Sequence, residues 1–396
     1  MARTAQREIT KSLPARTLYV ALELSKSTWK LGFTTGRADP IRIRDVAARQ
    51  TDQFLTEVGE AKDRFGLPSD APVRSCYEAG RDGFWIHRFL EAHGIENVIL
   101  EPASIEVDRR ARRAKTDRLD VQKLTRILVR HHDEGSVVRI VRVPPVEAED
   151  ERHLPRQLKR LKTTRTRVTN AIRGALWCHG IDLSPRSLKF RQVLAETHQW
   201  NGQPLPPGLL QEVDLLWDQF VLVDRQVKEL TRQQRDALRR ARQGTAEATV
   251  AQRKAAILSE LRGIGDNGAY LLSTEFFGWR EFKNRGEVGA LAGLTGTPYS
   301  SGSINRDQGI SKAGNCWVRS MMVELAWCWL RFQPESRLSR WFVEHVGKGG
   351  SRSKRKAIVA VARKLLVLLW HYVEHGLVPD GAVLKEEHDD ARRSAA

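Results

Sequence analysis

The chain has 396 residues, with 66 Lys and Arg against 48 Asp and Glu and a formal net charge of +18. A hydrophobic share of 41% excludes a disordered chain, and no apolar run reaches the roughly 18 residues of a membrane span. A surface this positive attracts polyanions, so nucleic acid is the expected partner. The length predicts two or three domains, each able to bury its own core. The start of the chain lacks the apolar stretch of a secretory signal. Cys76, Cys178, Cys316 and Cys328 form no CxxC pair, which argues against a disulfide scaffold or a cysteine zinc site and predicts a reducing cytoplasm.

Residues 1–145 read as alternating strands and helices. Leu18 to Leu22 is a short apolar run, Trp29 to Phe33 alternates apolar with polar or small residues, and Ile41 to Val46 suits a third strand, which together predict an antiparallel meander. A helix is expected from about Asp45 to Arg64, a strand over Pro72 to Tyr77, a helix over Phe84 to His93 and a strand over Asn97 to Leu100. Leu119, Leu124, Ile127 and Leu128 give Asp117 to His131 helical spacing. Periodicity alone says α/β; the order of the elements is that of a ribonuclease H-like domain.

Residues 146–250 change character. Leu154, Leu158, Leu161, Val168, Ile172 and Leu176 form a heptad-like seam interrupted by Arg165. Val213, Leu216, Phe220, Val223, Val227 and Leu230 form a cleaner one, with Trp200 to Gly208 as the turn between the two helices. Two readings fit: an antiparallel hairpin packed within its own domain, or a dimerising coiled coil. The length of the second seam favours oligomerisation.

Residues 251–380 read as a mostly helical C-terminal domain, followed by a charged, flexible tail over 381–396. Leu261 to Gly268 sits between helical runs, either as a phosphate-holding helix-hairpin-helix turn or as a plain connector. The string Gly293 to Arg306 reads as a flexible loop with phosphate contacts, and Ile310 to Arg319 leads into an apolar helix.

Four acidic residues stand where a nuclease-like site would want them. Glu23 ends the first strand, Glu78 ends the Pro72–Tyr77 strand, and Asp117 and Asp120 open a helix three residues apart, on one face. Carboxylate ligands suit Mg²⁺ or Mn²⁺. The plainer reading makes Asp117 and Asp120 partners of a helix dipole. Arg109, Arg110, Arg112, Arg113, Lys115 and Arg118 surround this turn as a phosphate-attracting run, and Arg152 to Arg173 and Lys348 to Lys356 are similarly basic. Ser301 lies in a Gly-flanked string followed by Arg306, Lys312 and Arg319; a serine hydroxyl needs such cations to attack a phosphate.

Taken together these strings resemble the bacterial insertion-sequence transposases that have an Asp-Glu-Asp-Asp nuclease-like domain and a C-terminal serine domain, a family of bridge-RNA-guided DNA recombinases. Val20-Ala21-Leu22-Glu23-Leu24-Ser25-Lys26, Cys76-Tyr77-Glu78-Ala79-Gly80 and Lys115-Thr116-Asp117-Arg118-Leu119-Asp120 match the acidic motifs. Gly263-Ile264-Gly265, Gly293-Leu294, Ser301-Gly302, Ile310 to Asn315 and Arg319 match the serine domain. The match spans about Leu18 to Leu128 and Ile257 to Ala326, with the helical middle in its expected place. One departure is Glu23, where the family usually has Asp; the extra methylene moves the oxygens by about 1.5 Å.

The resemblance implies a ribonuclease H-like domain similar to Holliday-junction resolvases, central coiled-coil helices and a C-terminal serine domain. It implies Mg²⁺ (or Mn²⁺) held by Glu23, Glu78, Asp117 and Asp120, and Ser301 as a nucleophile that forms a covalent phosphoserine. Arg109, Arg110, Arg112, Arg113, Lys115, Arg306, Lys312 and Arg319 would contact nucleic acid. The implied partners are donor and target DNA, a structured guide RNA and further copies of the chain (a dimer, and a tetramer on DNA), with no membrane and a bacterial, nucleoid-associated location. Competing readings are a junction-resolving nuclease that uses water as nucleophile and a non-catalytic nucleic-acid-binding remnant.

Overall fold

A computed structural model describes residues 16–105, 116–135, 137–187, 189–301, 304–346 and 349–385. The chain divides into two compact units, Met1–Val143 and Pro144–Ala396.

The first unit is built on a five-stranded sheet. Its elements are β1 (Leu18–Leu24), β2 (Thr28–Thr34), β3 (Arg42–Ala47), α1 (Thr51–Arg64), β4 (Val73–Glu78), α2 (Trp85–Ala92), β5 (Ile95–Leu100) and α3 (Asp117–Glu134). The strand order is β3-β2-β1-β4-β5. β1 and β2 are antiparallel, joined by a tight turn in which Ser25 Oγ donates to the Thr28 carbonyl at 2.6 Å. β1, β4 and β5 are parallel, and parallel neighbours need crossovers, which α1 and α2 supply.

Side-chain alternation then sorts two cores. Leu18, Val20, Leu22 and Tyr77 point to one face and pack with Phe54 and Ile86. Tyr19, Ala21 and Cys76 point to the other and pack with Val121, Leu124 and Leu128 of α3. Burial on both faces explains why β1 reads as an unbroken apolar run. α1 begins at Thr51 rather than near Asp45, because β3 runs on to Ala47 and Arg49 takes a left-handed φ of 70° that ends the strand.

In the second unit, α4 (Val146–Asp150) precedes α5 (His153–Trp177), α6 (Phe190–Glu196) and α7 (Pro207–Arg242). α5 and α7 pair antiparallel. Leu158 packs with Val223 and Val227, while Val168, Ile172 and Leu176 pack with Leu209, Val213 and Phe220. Arg165, which interrupts the first seam, bonds Asp224 at 2.8 Å. The second seam is therefore spent within the chain, so it no longer supports an interface between copies. The connection between the helices is also more than a turn: it carries α6, whose Phe190 stacks on Trp217 at 4.5 Å between ring centroids.

The rest of the unit contains α8 (Val250–Glu260), α9 (Asp266–Leu272), a π-helical turn (Ser273–Phe277), α10 (Arg285–Leu291), β6 (Gly296–Ser301), β7 (Ile304–Ile310), α11 (Cys316–Phe332), α12 (Arg337–Val346) and α13 (Ser351–His375). Leu258, Phe276, Val318, Met322, Trp329, Leu365 and Leu369 lie in its core. The string read as a flexible loop is mostly a β-hairpin, β6–β7. A Gly-Ser pair between two extended runs is a hairpin signal that its polar, glycine-rich composition conceals. The chain beyond Gly381 is tied down through Lys385: the Val383 amide donates to Gln333 Oε1 at 2.9 Å, and Lys385 Nζ donates to the Ile264 carbonyl at 2.9 Å. Among the described residues no helix is long and apolar enough to cross a membrane.

Candidate active site

The acidic residues of the first unit are brought to one end of the sheet by two independent features. The alternation that points Tyr19 and Ala21 at α3 also assigns Glu23 to that face, and the alternation in β4 assigns Glu78 there with Cys76. The two residues follow directly on the paired Leu22 and Tyr77, at the ends of parallel neighbours. α3 runs opposite to these strands. Its late residue His132 meets the Tyr19 hydroxyl near the start of β1 at 2.8 Å, while Leu124 accepts from Cys76 Sγ at 3.7 Å near the end of β4. The first turn of α3, with Asp117 and Asp120, therefore lies at the strand ends that carry Glu23 and Glu78.

Thr116 caps that turn by accepting from the Leu119 amide at 3.4 Å, which fixes where the helix starts. Glu23 and Asp120 are half-buried, Glu78 and Asp117 exposed. An all-carboxylate donor set fits a hard cation such as Mg²⁺ or Mn²⁺. Among the described residues no three His, Cys, Asp or Glu side chains stand close enough to hold a metal ion. The four share an end and a face of the sheet without forming such a group. Arg109, Arg110, Arg112, Arg113 and Lys115 lie outside the described residues; Arg118 is exposed on α3.

In the second unit Ser301 is the last residue of β6, opposite Ile304, and Arg306 on β7 is opposite Tyr299. Ser301 thus stands at the tip of the hairpin. Gly302 and Ser303 lie outside the described residues.

The hairpin's base is locked by two glycines. Gly293 has φ +67, and a Cβ there would meet the Ala313 carbonyl oxygen at 2.0 Å; Gly314 has φ +95, and a Cβ there would meet the Leu291 carbonyl oxygen at 2.2 Å. Two separate sequence strings are thereby pressed backbone to backbone. The Asn315 amide donates to the Leu291 carbonyl at 2.8 Å, the Lys312 amide to the Gly293 carbonyl at 3.2 Å, and Arg319 Nη1 to the Ala292 carbonyl at 3.2 Å. Arg319 therefore supports the hairpin base as well as offering positive charge. The Lys312 side chain is exposed beside it, on a backbone with φ 56.

Sequence reasoning missed a buried carboxylate at this base. Glu275, in the π-helical turn, is fully buried. Both its oxygens are held by the Arg156 guanidinium of α5, through Nε and through Nη2 at 2.9 Å, and Asn315 Nδ2 donates to it at 2.9 Å. Asn315 in turn caps α11, accepting from the Trp317 and Val318 amides at 2.9 and 3.2 Å. The hydrogen bonds to Glu275 hold the Arg156 guanidinium above its ordinary pKa. The signal was present: Glu275 is the only charged residue between Tyr270 and Phe277, a run otherwise apolar or hydroxylated. At the Leu261–Gly268 turn the Asp266 carboxylate bonds Arg242 at 3.0 Å, placing a protein carboxylate at the start of α9.

Comparison with known proteins gives first the class, a transposase, and then the family. Residues 255–339, which include the π-helical turn, the hairpin and α11, match the family model described as Transposase IS116/IS110/IS902 family. A relative from Sinorhizobium fredii that carries the transposase name y4rJ is 40% identical over 375 residues, covering 93% of this chain and 94% of the relative. The chain belongs to the IS116/IS110/IS902 transposase family. It is also similar to the transposase for insertion sequence element IS1111A of Coxiella burnetii, at 23% identity over 74% of each chain. Against the transposase for insertion sequence element IS1328 of Yersinia enterocolitica it is 28% identical over 54% of this chain and 60% of that one. Membership makes the chain an enzyme of DNA transposition, one that cleaves and rejoins DNA.

Proposed function

We propose that this transposase is an RNA-guided DNA recombinase that works through a covalent phosphoserine. The reading is supported by Glu23 and Glu78 following on paired residues of parallel neighbours, by Asp117 and Asp120 opening the helix packed on that face, and by a strand order that suits a ribonuclease H-like domain. These four residues would hold Mg²⁺ or Mn²⁺, which when bound supplies positive charge against the attacked phosphate.

Ser301 supplies the nucleophile. Its Oγ gives up its proton and forms a bond to the scissile phosphorus as the bond from phosphorus to the leaving deoxyribose oxygen breaks, and that oxygen takes up a proton in exchange. In the reverse sense, an incoming deoxyribose hydroxyl attacks the phosphoserine, loses its proton and releases the serine. The phosphodiester energy is kept in the Ser–phosphate bond, so strands exchange without an external energy source. Gly293, Gly314, Arg319 and the Arg156–Glu275–Asn315 network fix the hairpin base, and β6, which leaves that base, ends at Ser301. A net charge of +18 suits a protein that binds donor DNA, target DNA and a structured RNA, leaving sequence choice to base pairing. The active form would contain at least two copies, four on paired DNA.

The test is incubation of the protein with DNA, guide RNA and Mg²⁺, followed by a denaturing gel. A protein–DNA adduct that needs both the RNA and the metal is the expected result. Cleavage without an adduct would assign the attack to water, and binding without cleavage would make the chain a non-catalytic remnant.

A further inference from the structure

Away from the acidic end, the first unit contains a cavity of about 370 Å³ between α3 and the β2–β3 connection. That volume falls within the range of about 300–1,000 Å³ usual for small-ligand sites. Its walls include Thr34, Pro40, Ile41, Gln122 and Val129, and no aromatic ring among the described residues lines it. Asp39 contributes an acceptor whose orientation is fixed by a hydrogen bond from Thr35 Oγ1. Arg37, also in the lining, is anchored to Asp133 at 3.1 Å and to Glu134.

The second observation is a row on α3. Arg118, Gln122, Arg126 and Arg130 recur every four residues, so they climb one side of the helix in steps of about 6 Å. That step is close to the spacing of successive phosphates on an extended strand. The row starts beside Asp117 and Asp120 and ends at the cavity, which Gln122, Arg126 and Arg130 line. Arg126 is exposed and makes no ion pair among the described residues.

We propose that this row and cavity form a binding site for an unpaired nucleic-acid strand as it leaves the acidic end. Its phosphates lie along Arg118 and Arg126, and one base turns out of the stack into the cavity, where Asp39 can accept from an exocyclic amino group and Arg37 can donate. A row of cations without a cavity would serve any polyanion. A cavity of nucleotide-unit scale at the end of such a row favours a strand with a base it can extrude. The site deepens the recombinase reading, since strand exchange requires unpaired segments.

The experiment uses the full chain in EDTA, so that binding is read without cleavage and its outcome is independent of whether an adduct ever forms. Ten-nucleotide DNA and RNA strands carry a central 2-aminopurine, whose fluorescence rises when the base unstacks and meets no quenching ring. The expected result is a rise on binding to the unmodified protein that is lost in Arg126→Ala, with the slope of log affinity against log salt reduced by about 0.7. Gly36→Leu, at a lining position where a Cβ has room 3.4 Å from Asp39 Oδ2, fills the cavity without adding a ring, and should abolish the rise and leave the salt slope unchanged. Arg340→Ala, on α12 of the other unit, should change neither. A rise with the DNA or the RNA strand alone identifies which strand the site takes. No rise with either strand, a normal salt slope in Arg126→Ala, or a full rise in Gly36→Leu overturns the proposal.

Discussion

A carboxylate in the first turn of a helix stabilises that helix through its dipole, so Asp117 and Asp120 have a structural use independent of any ion. Substitution by Asn separates the two roles. Asn loses the charge but fits a helix start, so Asp117→Asn and Asp120→Asn should unfold within a few degrees of the unmodified protein and lose most adduct formation, as read by calorimetry and a denaturing gel. Full activity in either would return both residues to the dipole role alone. Glu23 offers a finer test. Glu23→Asp restores the shorter acid of the family pattern and should remain active, whereas Glu23→Gln should not. For the nucleophile, Ser301→Ala should abolish the adduct while nucleic-acid affinity barely changes, since one hydroxyl adds little to a phosphate-dominated interface. An adduct that survives Ser301→Ala but disappears in Ser303→Ala would move the nucleophile to Ser303. At this scale the site was legible mainly as residue types at characteristic spacings. Glu275 escaped because a buried acid is recognised by its partners, and Arg156 lies far from it in sequence.

Elements carry the next layer of consequence. Glu275 has no exposed surface, and Arg156 supplies two of its hydrogen bonds. Arg156→Met therefore leaves a buried charge with Asn315 as its remaining donor among the described residues, which should cost about 3–5 kcal/mol of unfolding free energy, read as a lower urea midpoint. Adding Glu275→Gln to that variant should recover part of the loss, because the charge is gone. Gly293→Ala should also lower the midpoint, since its Cβ meets a carbonyl oxygen at 2.0 Å on a left-handed backbone, and should reduce the adduct with Ser301 intact. The strands of the first unit were legible because short period-two alternation and short, doubly buried apolar runs suit the pleat of a strand: β1, β2 and β4 differ from their expected limits by at most two residues at either end. The helical middle was ambiguous for a physical reason. An apolar seam repeated three and four apart is the same whether its partner is α5 of the same chain or α7 of another copy, and only the placement of Leu158 against Val227 distinguishes them. The β6–β7 hairpin was missed because its strands have little apolar alternation; their pairing depends on backbone bonds and on a base built from residues outside the string.

The whole molecule poses the question of how a transposase assembles its active form. The acidic residues belong to the first compact unit and Ser301 to the second. If catalytic sites are completed between copies, a Ser301→Ala chain and an Asp117→Asn chain, each inactive alone, should regain part of the activity when co-expressed, because some mixed sites contain both intact halves. Co-expression matters, since copies that associate before purification do not exchange on mixing if the interface is stable. The Val213–Val227 seam is covered by α5 of the same chain, so charge substitutions on that seam should destabilise the monomer fold rather than selectively dissociate copies. The same preparation tests the RNA. With +18 of net charge, binding should weaken steeply with salt as counterions are released, and the purified protein should carry or require a structured RNA. Light scattering before and after ribonuclease treatment, with adduct formation followed in parallel, separates the two dependences. Loss of activity with the oligomer intact assigns the RNA a role in targeting, and loss of both assigns it a role in assembly. A monomer that remains active after complete ribonuclease treatment would rule out both the shared site and the guide.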